Sequence, residues 1–519
     1  MPSIFPAHFS RNTFFNYLNT GSVTVVVLVT TPLLTSHLGP VRFGIWALLG
    51  AMIPYLELLE LGMATATVTY VATHLESGET ERVHRIINTS FFVLIVPGLV
   101  ACAVTAGFAV VLPHVVHVPP RLVGDARTLL LLLALDVAVS IPGDTFGGGL
   151  VALQRYDLLN MSLIGVTVAQ AVAWVVVLAL GGGLVPLGIV TVTIALAGQA
   201  TRYLMLRHLL PGLTISVRNV ERGMIRSFAG LSGWFALNEL TSAIMANVDV
   251  LIVGVVVNIA AAGIYAVGQR LSSFAVRLVT PALDVFFPYS AQMSGRGDWA
   301  AIRAAARAGS RLVVGVAAPA CLILSLFARP ALLGWVGHGF VRAAPVVALL
   351  CASFVVGSLG ETGVMVVEGV GEPKIPTIVV TAEMVLHVGL AVVLGRWLGL
   401  DGVALGALLA TVAGHGVVLL PFVCRRLGFG LGEYLASMAR AHLPAAAVAG
   451  ALGWFLAFGM HGRLLTTHGR TLDLLGVAGA AAVVLLVYLA VFAVTGLDAP
   501  ERRQILGRLR RSAPGPAAP

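Results

Sequence analysis

Charge is what this chain most lacks: Asp, Glu, Lys and Arg make up 11% of its 519 residues, against about 25% in an ordinary soluble domain. Lysine is almost missing, Lys374 being the one lysine among 32 basic residues; the arginine bias is compositional and carries no functional reading. Cysteine is also scarce. Cys102, Cys321, Cys351 and Cys424 lie inside or at the ends of apolar runs, with no CxxC spacing and no nearby His ligand, so neither a disulfide framework nor a metal site is indicated, and no cofactor is called for. The first apolar run, about Phe14 to Leu34, is followed by no small-x-small cleavage site and is too long for a signal-peptide core. It reads as an uncleaved first span.

What is present is apolar sequence. Hydrophobic residues reach 58% and mean hydropathy is +0.95, which excludes water-soluble enzymes and predicts an all-α polytopic membrane protein. In a soluble protein the net charge of +9 would suggest nucleic acid. Here the basic residues cluster between apolar runs, where orientation in the membrane explains them without a nucleic-acid partner. At about 20 residues per span, about fourteen transmembrane helices are expected, near 13–37, 43–72, 86–112, 123–147, 158–180, 184–206, 228–257, 263–290, 310–328, 341–367, 377–395, 402–423, 443–460 and 472–495. Placing both termini in the cytoplasm leaves roughly 22 basic residues on that side against roughly 8 outside. The expected location is the cytoplasmic membrane, multi-pass. The segment LTISVRNVERGMIRSF in the loop 207–226 reads either as an amphipathic helix on the inner surface or as a plain linker. The basic tail from Glu501 is expected to touch anionic headgroups.

One expected span carries three charges. In GIYAVGQRLSSFAVRLVTPALDVFFP, from Gly263 to Pro288, Arg270, Arg277 and Asp284 are spaced by seven residues, which returns a helix to within about 20° of its start and places them on one stripe. Charges at membrane depth usually face a wet cavity or a partner, so the stripe is a candidate site. On the seventh expected span Asn238, Ser242 and Asp249 share a face, with Glu239 beside it. Glu57 and Glu60 lie a turn apart on the second, Asp136 and Asp144 on the fourth, and Glu361, Glu383 and His387 on the tenth and eleventh. The plain alternative for Arg270 is pairing with Asp249 at similar depth. His387 and His415 read as satisfied core residues before they read as proton relays. Pro281, between Arg277 and Asp284, is a candidate hinge, with simple packing tolerance as the alternative.

The chain also repeats itself. Gly44-Ile45-Trp46 matches Gly263-Ile264-Tyr265 at an offset of 219, and the loop at Gln154 matches the loop at Glu372 at 218. Near-equal offsets predict two six-helix bundles in a parallel, pseudo-twofold repeat, with two helices appended. The expected parts are residues 1–210, a linker 211–227, residues 228–430, appended helices 431–496 and a tail 497–519.

The blocks PLLTSHLGPVRFGIWALLGAMIPYLELLELGMATATVTYVA, ESGETERVHRIINT and WFALNELTSAIMANVDVLIVG, the last followed by GIYAVGQRL, resemble the polysaccharide-exporter (Wzx-type) flippases of the multidrug/oligosaccharidyl-lipid/polysaccharide exporter superfamily, from about residue 10 to 430. The resemblance implies paired six-helix bundles that move a polyprenyl-diphosphate-linked glycan across the membrane by alternating access. Membrane lipids are then partners, as are glycan polymerases or glycosyltransferases. Family members often have twelve spans, and the two extra ones here resemble instead the fourteen-span lipid II flippases. Such a cargo needs cations for its diphosphate, and the arginine fork suits phosphate oxygens. This makes Arg270 and Arg277, with Asn238 and Ser242, the expected cavity lining. The acids Asp249, Glu57, Glu60, Asp136 and Asp284 then serve either to neutralise the arginines or to take up a coupling ion, with Asp249 and Glu57 foremost. The rival within transport is an ion-coupled multidrug or metabolite antiporter. A membrane glycosyltransferase, polymerase or ligase fits poorly, because the outer loops are short and Arg121, Asp125, His114 and His117 form no persuasive catalytic set.

Overall fold

The computed structural model describes residues 7–60, 63–221, 233–283, 285–459 and 470–496, and every regular element among them is helical. Helix α1 (Ala7–Gly50) has 44 residues. At 1.5 Å per residue it would run about 66 Å, twice the hydrocarbon core. It kinks where Gly39 takes φ 67 just before Pro40, a backbone setting that suits glycine, and this is where the first span gives way to the second.

The second span departs from the single helix expected over 43–72. It consists of the end of α1, the short α2 (Ile53–Glu57), a 3₁₀ turn Leu58–Glu60 and α3 (Met63–Glu76). The cause is local. Pro54 offers no N–H and its ring excludes the carbonyl four residues back, so the helix ends at Gly50 and restarts with the proline in its first turn. Glu57 and Glu60 therefore sit on an interrupted backbone.

The chain continues through α4 (Thr80–Val115), α5 (Val123–Ala152), α6 (Tyr156–Ala179), α7 (Leu184–Leu209), α8 (Gly233–Val256) and α9 (Ile259–Leu283). It divides into two compact units, Met1–Ala266 and Val267–Pro519. In the first, α3, α4, α5 and α7 pack on Val83, Ile86, Ile87, Leu150 and Leu206, all but inaccessible. The linker begins as a strap and not as a helix on the membrane surface. Ser216 N–H donates to Asn88 Oδ1 at 2.7 Å, Glu221 N–H donates to Thr89 Oγ1 at 2.9 Å, and Leu213 is fully buried. The rest of the amphipathic stretch lies outside the described residues, as does the tail.

Also inside the first unit, the start of α9 meets the start of the second span. No Cβ fits on Gly44 against the Ile259 carbonyl, and one on Gly263 would stand 2.8 Å from the Pro40 carbonyl and 2.9 Å from Gly44 N. The contact is reciprocal: Pro40 and Ile259, like Gly44 and Gly263, are 219 positions apart, the offset of the GIW/GIY match.

The second unit holds the rest of α9, α10 (Phe286–Gly295), α11 (Trp299–Trp335), α12 (Ala344–Gly369), α13 (Lys374–Leu398), α14 (Leu400–Thr411), a π-helical segment Val412–Leu419, α15 (Leu420–Leu427), α16 (Leu431–Trp454) and α17 (Arg470–Thr495). The last two pack on α11 around Phe327, Ala445, Ala449 and Tyr488. Buried His442 meets Tyr488 Oη at 3.0 Å. The loops matched by sequence, at Gln154 and Glu372, share a helix-ending geometry. Gln154 (φ 57) and Gly371 (φ 96) are left-handed, and the next N–H of each returns to a carbonyl five residues back.

Among the described residues eleven helices are long and apolar enough to cross a membrane. Among the described residues the fourth and seventh expected spans, which hold Asp136, Asp144 and Asp249, are not among the eleven, whereas Glu57 and Glu60 fall at the end of the first of them, Leu18–Glu60. The protein is an all-α polytopic membrane protein.

Candidate functional site

The first unit gathers polar side chains that the sequence scatters over nearly 150 residues. Glu57, at the end of α2, is exposed despite its place inside a span. It lies within electrostatic reach of Asp144, and Asp136 within reach of both. Asp136 Oδ1 is buried and has no hydrogen-bond partner. From α7, Gln199 Nε2 approaches Ser140 O at 3.3 Å and Asp144 Oδ1 at 3.4 Å. Arg202, half-buried, is the cation that faces Asp144. Gly143 makes the approach possible, since any Cβ there would collide with the Gln199 amide. Three carboxylates thus lie within electrostatic reach of one another, and one of them, Asp144, faces Arg202, an arrangement that favours uptake of a further cation.

Asp249 of α8 is almost fully buried and accepts a 2.6 Å hydrogen bond from Tyr265 Oη of α9. Tyr55, in the broken second span, lies within electrostatic reach of the same carboxylate. Ser242 is exposed on α8. Asn238 and Glu239 lie in α8 with side chains outside the described set, and Asp284 falls wholly outside it. Glu60 is half-buried.

In the second unit Arg270 and Arg277 are both half-buried on α9, on a stripe flanked by buried Val267, Leu271, Ala275 and Val279. Their seven-residue spacing puts them about 10 Å apart along the helix. The Ser273 hydroxyl between them donates to the Arg270 carbonyl at 2.7 Å. A second polar cluster forms deeper in this unit. His415, on the π-helical segment, touches Glu383 through Nδ1 and lies 3.5 Å from Glu361 Oε2 through Nε2. Glu383 Oε1, fully buried, has no hydrogen-bond partner. Gly414 leaves space for that carboxylate, because a Cβ would stand 2.7 Å from Glu383 Cβ. A π turn is a common means of re-aiming one side chain out of helical register.

Sequence reading missed Arg202, which lies inside the span expected at 184–206. It also missed Gln199, Tyr55 and Tyr265, which carry no formal charge at neutral pH and give no hydropathy signal. It set His415 down as core; its ring instead links two glutamates.

The comparisons with known proteins agree with this architecture. Residues 9–294, more than half the chain, match the family described as polysaccharide biosynthesis protein. The chain is 20% identical over 404 residues to the uncharacterized membrane protein EpsK of Bacillus subtilis (strain 168), covering 77% of this chain and 80% of that protein. Its fold is similar to the inward-facing conformation of a multidrug resistance MATE family transporter of the MOP superfamily, with TM-score 0.67, 14% identity and coverage of 81% and 96%. It is also similar to lipid II flippase MurJ in an inward closed conformation, with TM-score 0.61, 12% identity and coverage of 93% and 98%. The MurJ likeness is wide enough to include the appended helices. At these identities the two structures speak for the fold, and the family match, over more than half the chain, shows that this protein belongs to the polysaccharide biosynthesis protein family of membrane proteins.

Proposed function

We propose that the protein is a flippase that moves a polyprenyl-diphosphate-linked oligosaccharide or polysaccharide precursor from the inner to the outer leaflet of the cytoplasmic membrane, with both termini in the cytoplasm. The observation that carries the reading is the half-buried pair Arg270 and Arg277 on one stripe of α9. A diphosphate cannot enter hydrocarbon bare. Two guanidinium forks at successive depths offer it charge-assisted hydrogen bonds in turn. Family membership and the fold shared with a lipid II flippase support the choice of cargo class.

The carboxylates belong to the energy side of the same reading. Glu57 and Asp136 lie within reach of Asp144, which faces Arg202, and Glu361 and Glu383 share His415. In an apolar setting each group is short of positive charge, so each is a place for a coupling H⁺ or Na⁺ to bind and leave as the transporter alternates. Asp249, held by Tyr265, serves as a charge partner fixed in place.

The test is reconstitution of the full chain in liposomes with defined lipid-linked sugars, with and without imposed H⁺ and Na⁺ gradients. Transbilayer movement of a diphosphate-linked sugar, abolished by Arg277→Ala, is the expected result. No movement of any of them would sink the reading, and export of cationic drugs that survives Arg277→Ala would replace it with the antiporter.

A further inference from the structure

Away from both clusters, a cavity of about 170 Å³ opens in the second unit where the start of α11 meets the start of α16. Arg307 and Arg311, one turn apart on α11, wall one side; Glu433, Ser437 and Arg440 of α16 wall the other. The guanidinium groups are positioned. That of Arg307 lies 4.5 Å over the Phe429 ring, Arg311 Nη2 donates to Ser437 Oγ at 3.2 Å, and Arg440 Nε donates to the Ala436 carbonyl at 3.2 Å. The cavity floor is fixed by Tyr434, whose hydroxyl donates to the Leu359 carbonyl at 2.6 Å. Among the described residues three arginines and one carboxylate line this small cavity, an excess of positive charge that favours an anion within it. Helix α16 adds to the field, since it begins at the cavity rim, at Gly430, with no side-chain cap on its N-terminus.

We propose that this cavity binds the phosphate headgroup of an anionic glycerophospholipid. The membrane source of the phosphate follows from what adjoins the arginines. Leu312 follows Arg311, and Leu435 and Leu443 lie within a turn or two of Arg440 on α16; all three are exposed large apolar side chains on helices apolar enough to span a membrane. A phosphodiester held by the arginine forks places its acyl chains along these leucines, whereas free phosphate gains nothing from them. The site lies on α11 and α16, not on the α9 arginine stripe, so it does not depend on the cargo proposed above. Its occupant bridges α11 and the first appended helix.

The experiment uses the purified full-length protein in neutral detergent, titrated with dioleoylphosphatidylglycerol or dioleoylphosphatidylcholine, with bound lipid counted by native mass spectrometry. The variants are Arg307→Gln with Arg440→Gln, the charge-preserving Arg307→Lys with Arg440→Lys, and Arg303→Gln, on α11 but not lining the cavity. The anionic lipid should bind in preference to the zwitterionic one, and the glutamine pair should weaken it by about fivefold per arginine. The lysine pair should keep most of the binding, and Arg303→Gln should leave it unchanged. Excess inorganic phosphate should fail to displace the lipid. Wild-type binding by the glutamine pair, equal loss in Arg303→Gln, or displacement by phosphate would each overturn the proposal. If the glutamine pair does not fold, the lysine pair decides by the rise in melting temperature on adding phosphatidylglycerol: no rise in it or in the wild type rejects the site.

Discussion

Glu372 and Arg426 show at residue scale how far a surface charge pair matters. Arg426 Nε donates to Glu372 Oε2 at 2.6 Å, a second bond runs from Nη2 to Oε1, and the guanidinium also lies 5.0 Å over the Trp299 ring. The hydrogen bonds from Arg426, and its charge, hold the Glu372 carboxyl below the ordinary value of 4.5. A depressed folded-state value means that the pair's stabilisation is whole above the unfolded pKa and is lost as pH falls through the folded one. Because both side chains are largely exposed, the contribution is about 1 kcal/mol or less. Glu372→Gln should therefore lower the melting temperature slightly at pH 7 and make no difference well below pH 4, read by thermal unfolding across pH. A steric effect dominates at Gly414. Gly414→Ala places a methyl against the Glu383 carboxylate and should destabilise by about 1–3 kcal/mol, the usual cost of overpacking, measurable as a lower melting temperature. Glu383→Gln keeps the volume and removes the charge that His415 faces. It should fold like the wild type and lose stimulation of transport by an ion gradient, which the liposome assay reads directly.

At the scale of elements, the interruption of the second span was in part readable in advance. Pro54 was visible as a proline inside a span; that it would stop the helix and not merely bend it depended on the backbone finding partners, which no local pattern reports. The repeated Gly44 and Gly263 carried a firmer signal. Matching triplets at an offset of 219 pointed to related elements, and the structure adds that each glycine is small because backbone of the other's segment occupies the space, the Ile259 carbonyl against Gly44 and the Pro40 carbonyl with Gly44 N against Gly263. Gly263→Val should lower the melting temperature by several degrees, whereas Gly165→Ala, at a helical glycine with nothing within 4 Å of an added Cβ, should be neutral or raise it, since alanine favours the helix by about 0.5–1 kcal/mol. A fall for Gly165→Ala equal to that of Gly263→Val would show the glycine contact to be unimportant.

For the whole molecule, the class and course of the chain follow from properties read along it, and the sites do not. Hydropathy and charge alone determined that this is a polytopic helical membrane protein, because burial in lipid demands runs of apolar residues whatever their neighbours. The seven-residue spacing alone put Arg270 and Arg277 on one stripe, since helical period is local. Tertiary packing decided the rest. It brought Arg202 to Asp144 across 58 positions and His415 to Glu361 and Glu383 across 54 and 32, pairs that span different helices and so leave no period in the sequence. Arg307, Arg311 and Arg440 looked like ordinary inner-face arginines in the chain; only the meeting of α11 with α16 turned them into the walls of one cavity, because convergence of like charges is a property of packed helices and not of either helix alone.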